Sequence, residues 1–314
     1  MGRERAVFAF GVWAFLLLVA VFGVTLNVPV VKGNGTPRNW TVDDDGQADF
    51  HTIQEAINAA NPGDTIYVYN GTYYEIVVVN KNNLTLVGEN PSITVIDGGS
   101  PIEDVNVVTV TASNVNIKGF TVQNCGQSMH AWMAGIHLDS ATECNITGNN
   151  ITNNIEFGIT LKHSSYNNIS GNNITDNNLI GIGFEDSSNN NNISDNNITN
   201  NGNGIYLLQS CKNNMISENT ITNNTWGIVI RAYSSHNIIS GNTIANNSRG
   251  VELSAYSPYN TLSGNNIADN TLDGVIILMS SYHTIRENNI TNSNRWGVWL
   301  AGYGGILVLQ QLLS

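Results

Sequence analysis

Between Asn145 and Gly304 the chain writes nearly the same phrase seven times, close to N-x-I-S-G-N-N-I-T-x-N-x-x-x-G-I-x-L-x-x-S-S-x-N. One apolar position recurs at Ile146, Ile169, Ile193, Ile216, Ile239, Leu262 and Ile285, and a second at Ile151, Ile174, Ile198, Ile221, Ile244, Ile267 and Ile290. A glycine recurs at Gly158, Gly181, Gly204, Gly227, Gly250, Gly274 and Gly297, always followed by Ile or Val. Every step is 23 or 24 residues. A fixed period of this size is the mark of a solenoid, in which each unit buries its apolar side only against its neighbours.

Composition decides which solenoid. A leucine-rich repeat spends about half of each unit on a helical segment, and these units hold few Ala, Glu, Lys or Leu to propagate one. They are written in Asn, Ile, Thr, Ser and Gly, with local alternation as in Gly158-Ile159-Thr160-Leu161 and Asn/Gly/Ser clusters every few residues. That describes short strands joined by tight turns. The reading is all-β: a right-handed parallel β-helix of about ten coils, with a leucine-rich repeat or a propeller as the alternatives. Ile146, Ile151, Ile159 and Leu161 then face inward and stack on their counterparts about 4.8 Å away along the axis. Asn149, Asn172, Asn196, Asn219, Asn242, Asn265 and Asn288 form one turn column, and Asn154, Asn177, Asn201, Asn224, Asn247 and Asn270 a second. Asn tolerates left-handed backbone, and its amide can bond the next coil as a ladder. Function belongs outside these columns.

The rest of the chain frames the repeats. Arg3 and Arg5 precede an uncharged, mostly apolar run at 6–26, long enough to span a bilayer. Residues 1–32 are therefore a cleaved signal peptide or a membrane anchor, and the repeats are exported, either secreted or held at the cell surface. Residues 33–63 lead in to a helix at 53–60, with Thr52 and Glu55 as a capping box and Ile53, Ala56, Ile57 and Ala60 on one apolar face that covers the first coil. Irregular coils fill 64–144, with strands at 65–69, 76–79, 84–87, 93–96, 105–110 and 115–122, and regular ones 145–304. The tail at 305–314 is either a cap or the start of something longer. The net charge of −12 excludes a phosphate-neutralising nucleic-acid face. Three cysteines provide no disulfide framework.

Phe50-His51-Thr52-Ile53-Gln54-Glu55-Ala56-Ile57, Pro62-Gly63-Asp64-Thr65-Ile66-Tyr67-Val68 and Gly71-Thr72-Tyr73-Tyr74-Glu75 resemble the opening of the pectin-lyase-like superfamily, pectinesterases in particular. The Asn-rich repeats are similar to those of the NosD family, named for a periplasmic accessory protein of nitrous-oxide reductase. Together the resemblances cover about 40–304. They imply the fold strongly and the activity weakly, because the fold is shared by enzymes, binders and surface proteins. The pectinesterase Q-D, D-F-x-F-G and Arg-Pro-Trp motifs are absent, as are those of polygalacturonases and alginate epimerases.

Any ligand is expected along one flank, beside the G-I-x-L strand. Two residues after its glycine come His137, Thr160, Gly183, Tyr206, Val229, Glu252, Ile276 and Trp299; four after it come Asp139, Lys162, Glu185, Leu208, Arg231, Ser254, Leu278 and Ala301. The ligand-binding candidates are His137, Asp139, Lys162, His163, Glu185, Tyr206, Arg231, Glu252 and Trp299, facing a polysaccharide or cell-surface glycan. Lys162 or Arg231 could abstract a proton or hold a carboxylate, and Glu185 or Asp186 could act as acid or base in glycoside hydrolysis. Against this stands a plain solvated ladder of alternating charge. Trp226, Trp296, Trp299, Tyr206, Tyr233, Tyr256 and Tyr303 add rings suited to sugars or to interfaces.

No cofactor is expected, with two metal alternatives. Cys125, Met129, His130, Met133 and His137 offer soft donors around one inserted loop that suit copper(I), a role the NosD likeness also implies. Asp43, Asp44 and Asp45 could catch calcium, without EF-hand spacing. The preferred function is a carbohydrate-binding or structural surface module. A polysaccharide-modifying enzyme (lyase, epimerase or glycoside hydrolase) is second and a copper-binding accessory protein third.

Overall fold

The computed structural model describes residues 36–99, 104–127 and 132–302 and the strand Val308–Leu313. The expected leader, the metal candidates Met129 and His130, and Tyr303 lie outside these residues. The repeats coil into a right-handed, all-parallel β-solenoid. Each regular coil holds two three-residue strands and one longer strand. In one coil these are Asn145–Thr147, Asn150–Thr152 and Phe157–Lys162. The short strands belong to a 21-stranded sheet and the long ones to a 10-stranded sheet. Each residue pairs with its equivalent one period on: Ile146 with Ile169, Ile151 with Ile174, Ile159 with Ile182. Ile146, Ile151, Ile159 and Leu161 are fully buried, and one apolar column of such residues runs the length of the coil interior.

The two Asn columns are buried ladders. Asn219 shows the connectivity. Its Oδ1 accepts from the Asn196 backbone N–H (3.0 Å) and from Asn196 Nδ2 (2.9 Å), while its Nδ2 donates to Ile193 O (2.9 Å), Ser217 O (3.0 Å) and Asn242 Oδ1 (3.0 Å). One side chain thus satisfies backbone groups in its own coil and in the coil before it, in a place that water does not reach. The left-handed backbone falls one residue earlier than the sequence pattern suggests. Glu218 (φ 55), Asn223 (φ 57) and Gly171 (φ 63) take the positive φ, and the ladder Asn follows. A third ladder, uncalled from sequence, runs through Asn167, Asn191, Asn214, Asn237 and Asn260 beside buried Ser164, Ser188, Cys211, Ser234 and Ser257.

The repeating glycine answers a different need. A Cβ on Gly204 would stand 2.5 Å from Gly227 O and 2.7 Å from Ile221 Cγ2, so the position allows adjacent coils to approach rather than a special φ. Most glycosylation sequons of the repeats head outward columns instead of the buried ladders. Asn192 donates to Asn168 (2.8 Å) and Asn197 to Asn173 (2.7 Å) along the surface.

The N-terminal helix is Ile53–Ala59, with Ile53, Ala56 and Ile57 buried against the first coils. Thr52 Oγ1 accepts from Glu55 N at 3.3 Å, which forms the forward half of the expected capping box. The Glu75 carboxylate takes the next two N–H groups, Ile53 (2.8 Å) and Gln54 (3.0 Å), so the cap is closed from the neighbouring coil. Two further strands, Asn39–Val42 and Gly71–Tyr74, join the early coils, and the expected strand at 115–122 is two, Asn116–Lys118 and Thr121–Gln123, broken at the left-handed Gly119. Beyond the regular coils, Val308–Leu313 extends the same parallel ladder on Thr284–Thr291.

Two outcomes follow for stability. Asn219→Ala removes the Oδ1 acceptor shared by the Asn196 backbone and side-chain amides, and the donor to Ile193 O; unfolding in urea should show a loss of roughly 3 kcal/mol, and an unchanged midpoint would refute the ladder's role. The third ladder ends at His283, which takes the next rung after Asn260, is fully buried, and holds Ser280 Oγ through Nε2 at 2.9 Å. Burial pulls its pKa down to about 4. The unfolded chain, with an imidazole near 6.5, takes up the proton first on acidification. The stabilising contribution is therefore complete above about pH 6.5 and is lost as pH falls toward 4, a change of roughly 3 kcal/mol. His283→Asn should extend the ladder and flatten the pH dependence of melting across that window.

Candidate functional site

The outer face of the long-strand sheet carries the flank residues in three columns. His137 pairs in register with Thr160, Thr160 with Gly183, Gly183 with Tyr206, and so on to Trp299. A third outward column stands just before the glycine: Ala134, Phe157, Ile180, Asn203, Trp226, Arg249, Asp273 and Trp296. Sequence reasoning passed over this column as a whole. Its signal is the residue preceding each glycine, which is aromatic, aliphatic or charged in every coil but that of Asn203, where a plain turn would be Asn or Ser.

The face divides into three parts. At its N-terminal end lie His137, Asp139, Lys162, His163, Glu185 and Asp186. His137 Nδ1 is 2.7 Å from Thr160 Oγ1, and burial holds its pKa below the usual imidazole value. Lys162 Nζ stands 3.8 Å and His163 Nε2 4.0 Å from Asp186 Oδ2, with His163 and Asp186 both in left-handed turn residues. Burial raises the Glu185 carboxyl above its ordinary value, and Lys162 opposes that shift. These groups cluster as expected.

In the middle, the outer surface is itself apolar. Trp132 stacks on Phe157 (centroids 4.7 Å apart, planes at 18°) and meets Tyr206 edge-on at 6.3 Å. Ala134, Phe157 and Ile180 are buried beneath these rings. Gly183 makes the arrangement possible, since a Cβ there would come within 3.3 Å of Trp132 Cζ3. The inserted loop thus delivers Trp132 onto later coils. An open cleft of about 470 Å³ results, lined by Trp132, Phe157, Ile180, Tyr206, Trp226 and Arg231 among others.

Toward the C-terminus the columns turn into an arginine–tryptophan ladder. Arg231 Nε binds Glu252 Oε1 at 2.5 Å, and Ser254 Oγ donates to the same oxygen at 2.6 Å. Glu252 is only 1% exposed, so it fixes Arg231 and does not itself meet solvent. This corrects its expected place among the ligand contacts. Its neighbours Val229 and Ile276 are equally covered. Arg231 and Arg249 lie over Trp226 at 5.9 and 4.5 Å, and Arg295 over Trp299 at 5.3 Å. Arg249 (3.3 Å) and Arg295 (2.8 Å) converge on the fully buried Asp273, whose carboxyl they hold below the ordinary range, Arg295 first. Lys162 and Glu185 belong to coils earlier than Arg231's. With about 4.8 Å per coil, Glu185 and Arg231 are two coils apart and serve different parts of the face. Trp299 stands at the far end, beyond the cleft.

The described copper donors do not converge. Cys125 is a free thiol in the core interior, its Sγ 3.7 Å from Met133 O and its pKa raised by burial, and Met133 packs in the same core. His137 lies across the coil wall on the outer face. A copper ion bound at this face by the described residues would find imidazole without sulfur. Asp43, Asp44 and Asp45 do bring carboxylate oxygens within 4.8 Å of one another, at the surface. Asp43 Oδ1 already accepts the Gly46 N–H at 3.1 Å.

Comparison with known proteins places this geometry. Over 95–128 residues the chain is 31–34% identical to pectinesterases, among them one from Petunia integrifolia (33% over 28% of this chain and 25% of the relative) and pectinesterase 2 from Citrus sinensis (31% over 36% and 25%). The chain spans a quarter or less of the length of these relatives. Among solved structures, an alginate lyase from Paenibacillus sp. str. FPU-7 superposes with a TM-score of 0.66 at 16% identity, over 87% of this chain and 98% of that one. A periplasmic alginate epimerase, AlgG, gives 0.56 at 16% identity, over 84% and 82%. At such identities the likeness is one of fold. A profile described as right-handed beta helix region matches residues 203–311. The profile described as periplasmic copper-binding protein (NosD) matches residues 57–255, well over half the chain, and the chain belongs to that NosD family.

Proposed function

We propose that the protein is an exported surface module that binds a polysaccharide along the outer face of its long-strand sheet, with the Trp132–Phe157–Tyr206–Trp226–Arg231 cleft as the main subsite. The observation that carries this is the pairing of open aromatic surface with one guanidinium held by a buried carboxylate. Aromatic rings with polar tips take the apolar face of a sugar. Arg231 binds Glu252 through Nε and also hydrogen-bonds the Tyr206 side chain, and its remaining N–H groups are the ones a ligand oxygen would take. A carboxylate or sulfate on the sugar would suit that fork. The cleft is open at the flank of a solenoid, so a long chain can cross it without threading.

Export rests on the arginine-led apolar segment at 6–26, which also supplies the one proposed contact with a membrane. No helix among the described residues is long and apolar enough to cross one. The fold neighbours named above are an alginate lyase and an alginate epimerase, which supports a polysaccharide partner.

A second reading, polysaccharide modification, draws on one specific feature. Glu185, with its raised pKa, shares a corner of the same face with Lys162, His163 and Asp186, as an acid–base pair needs. Copper is not favoured, because the described donors lie on both sides of the coil wall.

Co-sedimentation with neutral and acidic polysaccharides tests the proposal. Binding to an acidic polymer should fall about tenfold or more in Arg231→Ala and in Trp226→Ala, weaken with added salt, and leave polymer length unchanged. Retention that ignores both substitutions would reject the cleft. A shortened polymer or new unsaturated-uronate absorbance, abolished by Glu185→Gln, would establish the enzyme instead.

A further inference from the structure

A second surface stands apart from the long-strand face. At the corner where each long strand turns into the next coil, two or three residues per turn adopt left-handed backbone; two middle coils place Asp186, Ser187, Asn190, Gln209, Ser210 and Asn213 there, and one earlier coil places His163 and Tyr166. The coils after Asn213 place rings there one after another. Tyr233 (φ 65), His236 (φ 59), Tyr256 (φ 57), Tyr259 (φ 59) and Tyr282 (φ 61) all hold positive φ. Bulky residues are disfavoured in this region, so five of them in neighbouring turns need a reason beyond the turn. They stack along the axis: Tyr233 on Tyr256 at 5.9 Å, and His236 on Tyr259 and Tyr259 on Tyr282 at 5.1 Å each. Stacking recovers part of the strain. It still leaves the four tyrosines 49–61% exposed, with Met279 (53%) and Ile238 (45%) beside them.

Charge has been cleared from the same place. The turn segments 232–238, 255–261 and 279–284 contain no Asp, Glu, Lys or Arg, whereas the equivalent turns of three earlier coils carry Glu143, Asp186 and Lys212. On a molecule of net charge −12 this is an uncharged apolar window. Interface cores are depleted in charge and enriched in Tyr and Met, and exposed patches of this kind mark association sites.

We propose that a second copy of this chain covers the window, the two solenoids meeting side by side and antiparallel about a two-fold axis near Tyr259. Two copies share one coil pitch, so their ring rows interlock without adjustment, a match no unrelated partner has by default. Two acidic molecules approach most readily where neither carries charge. Covering the rings and the flanking Met279 and Ile238 would bury roughly 700 Å² per copy, close to the roughly 800 Å² of a standard interface.

Sedimentation velocity of the full chain over a micromolar to near-millimolar range, in one detergent that keeps the 6–26 segment dispersed, tests this. The reference is a variant built from residues that the chain itself uses at these turns: Tyr233→Ser, Tyr256→Ser, His236→Asn, Tyr259→Asn and Tyr282→Asn together. The wild type should dimerise, and the variant should associate at least tenfold more weakly with an unchanged melting curve. Tyr259→Cys should cross-link to itself under oxidation, while Tyr166→Cys, four coils earlier on the same corner, should not. A monomeric wild type, a variant that dimerises as well as the wild type, or a monomer whose retention on a neutral polysaccharide is lost in the variant would each overturn the proposal. The last would reassign the window to a glycan.

Discussion

Stacking one coil on the next is the constraint from which the rest of this molecule follows. Each coil is too small to hold together alone, so every buried backbone group must find its partner in a neighbour. Strand ladders satisfy most of them. At the turns, where no ladder runs, three columns of buried Asn take over, and amides such as Asn196, Asn219 and Asn242 tie successive coils together through their own side chains. The same demand explains the glycine at the second position of each regular long strand, which keeps a Cβ out of the space between coils. It also explains the rarity of charge in the repeats: a carboxylate or ammonium on these columns would be buried without a partner.

Because the interior is spent on stacking, variation is free only on the outside, and there it is not random. One flank builds, in order, an acid–base corner, an aromatic cleft and an arginine–tryptophan ladder, while one set of turns trades Asn for stacked rings. Buried ion pairs mark where the outer face has been shaped. Asp273 between Arg249 and Arg295, and Glu252 under Arg231, are carboxylates with no exposed surface on the outside of a sheet. Isolated buried charges of that kind would be costly; paired with guanidiniums packed on Trp226 and Trp299 they fix the cations in place.

The fold was legible because a period leaves no freedom: once Ile146 and Ile169 occupy equivalent places, so must everything between them. Inward residues, the Asn ladders and the N-terminal helix all followed, and the expected ten or so coils stand against about 11 turns found. The misplaced left-handed residues, one position before the ladder Asn, have a physical cause. The amide must point inward to bond both coils, and the residue that turns the chain ahead of it faces out. The site was half legible. Columns after the glycine were read correctly as outward, but outward did not mean exposed. Thr160, Val229, Glu252 and Ile276 are covered by neighbours that only the three-dimensional arrangement brings together. Trp132 was unreadable for a related reason, since an inserted loop has no register of its own to say which coil it will cover.

The most direct measurement of the central claim is a crystal structure grown with an acidic oligosaccharide long enough to span several coils. The account predicts density along the long-strand flank, with one sugar over Trp226 and an acidic oxygen at the terminal nitrogens of Arg231. A ligand seated elsewhere, or an empty cleft at saturating oligosaccharide, would contradict it.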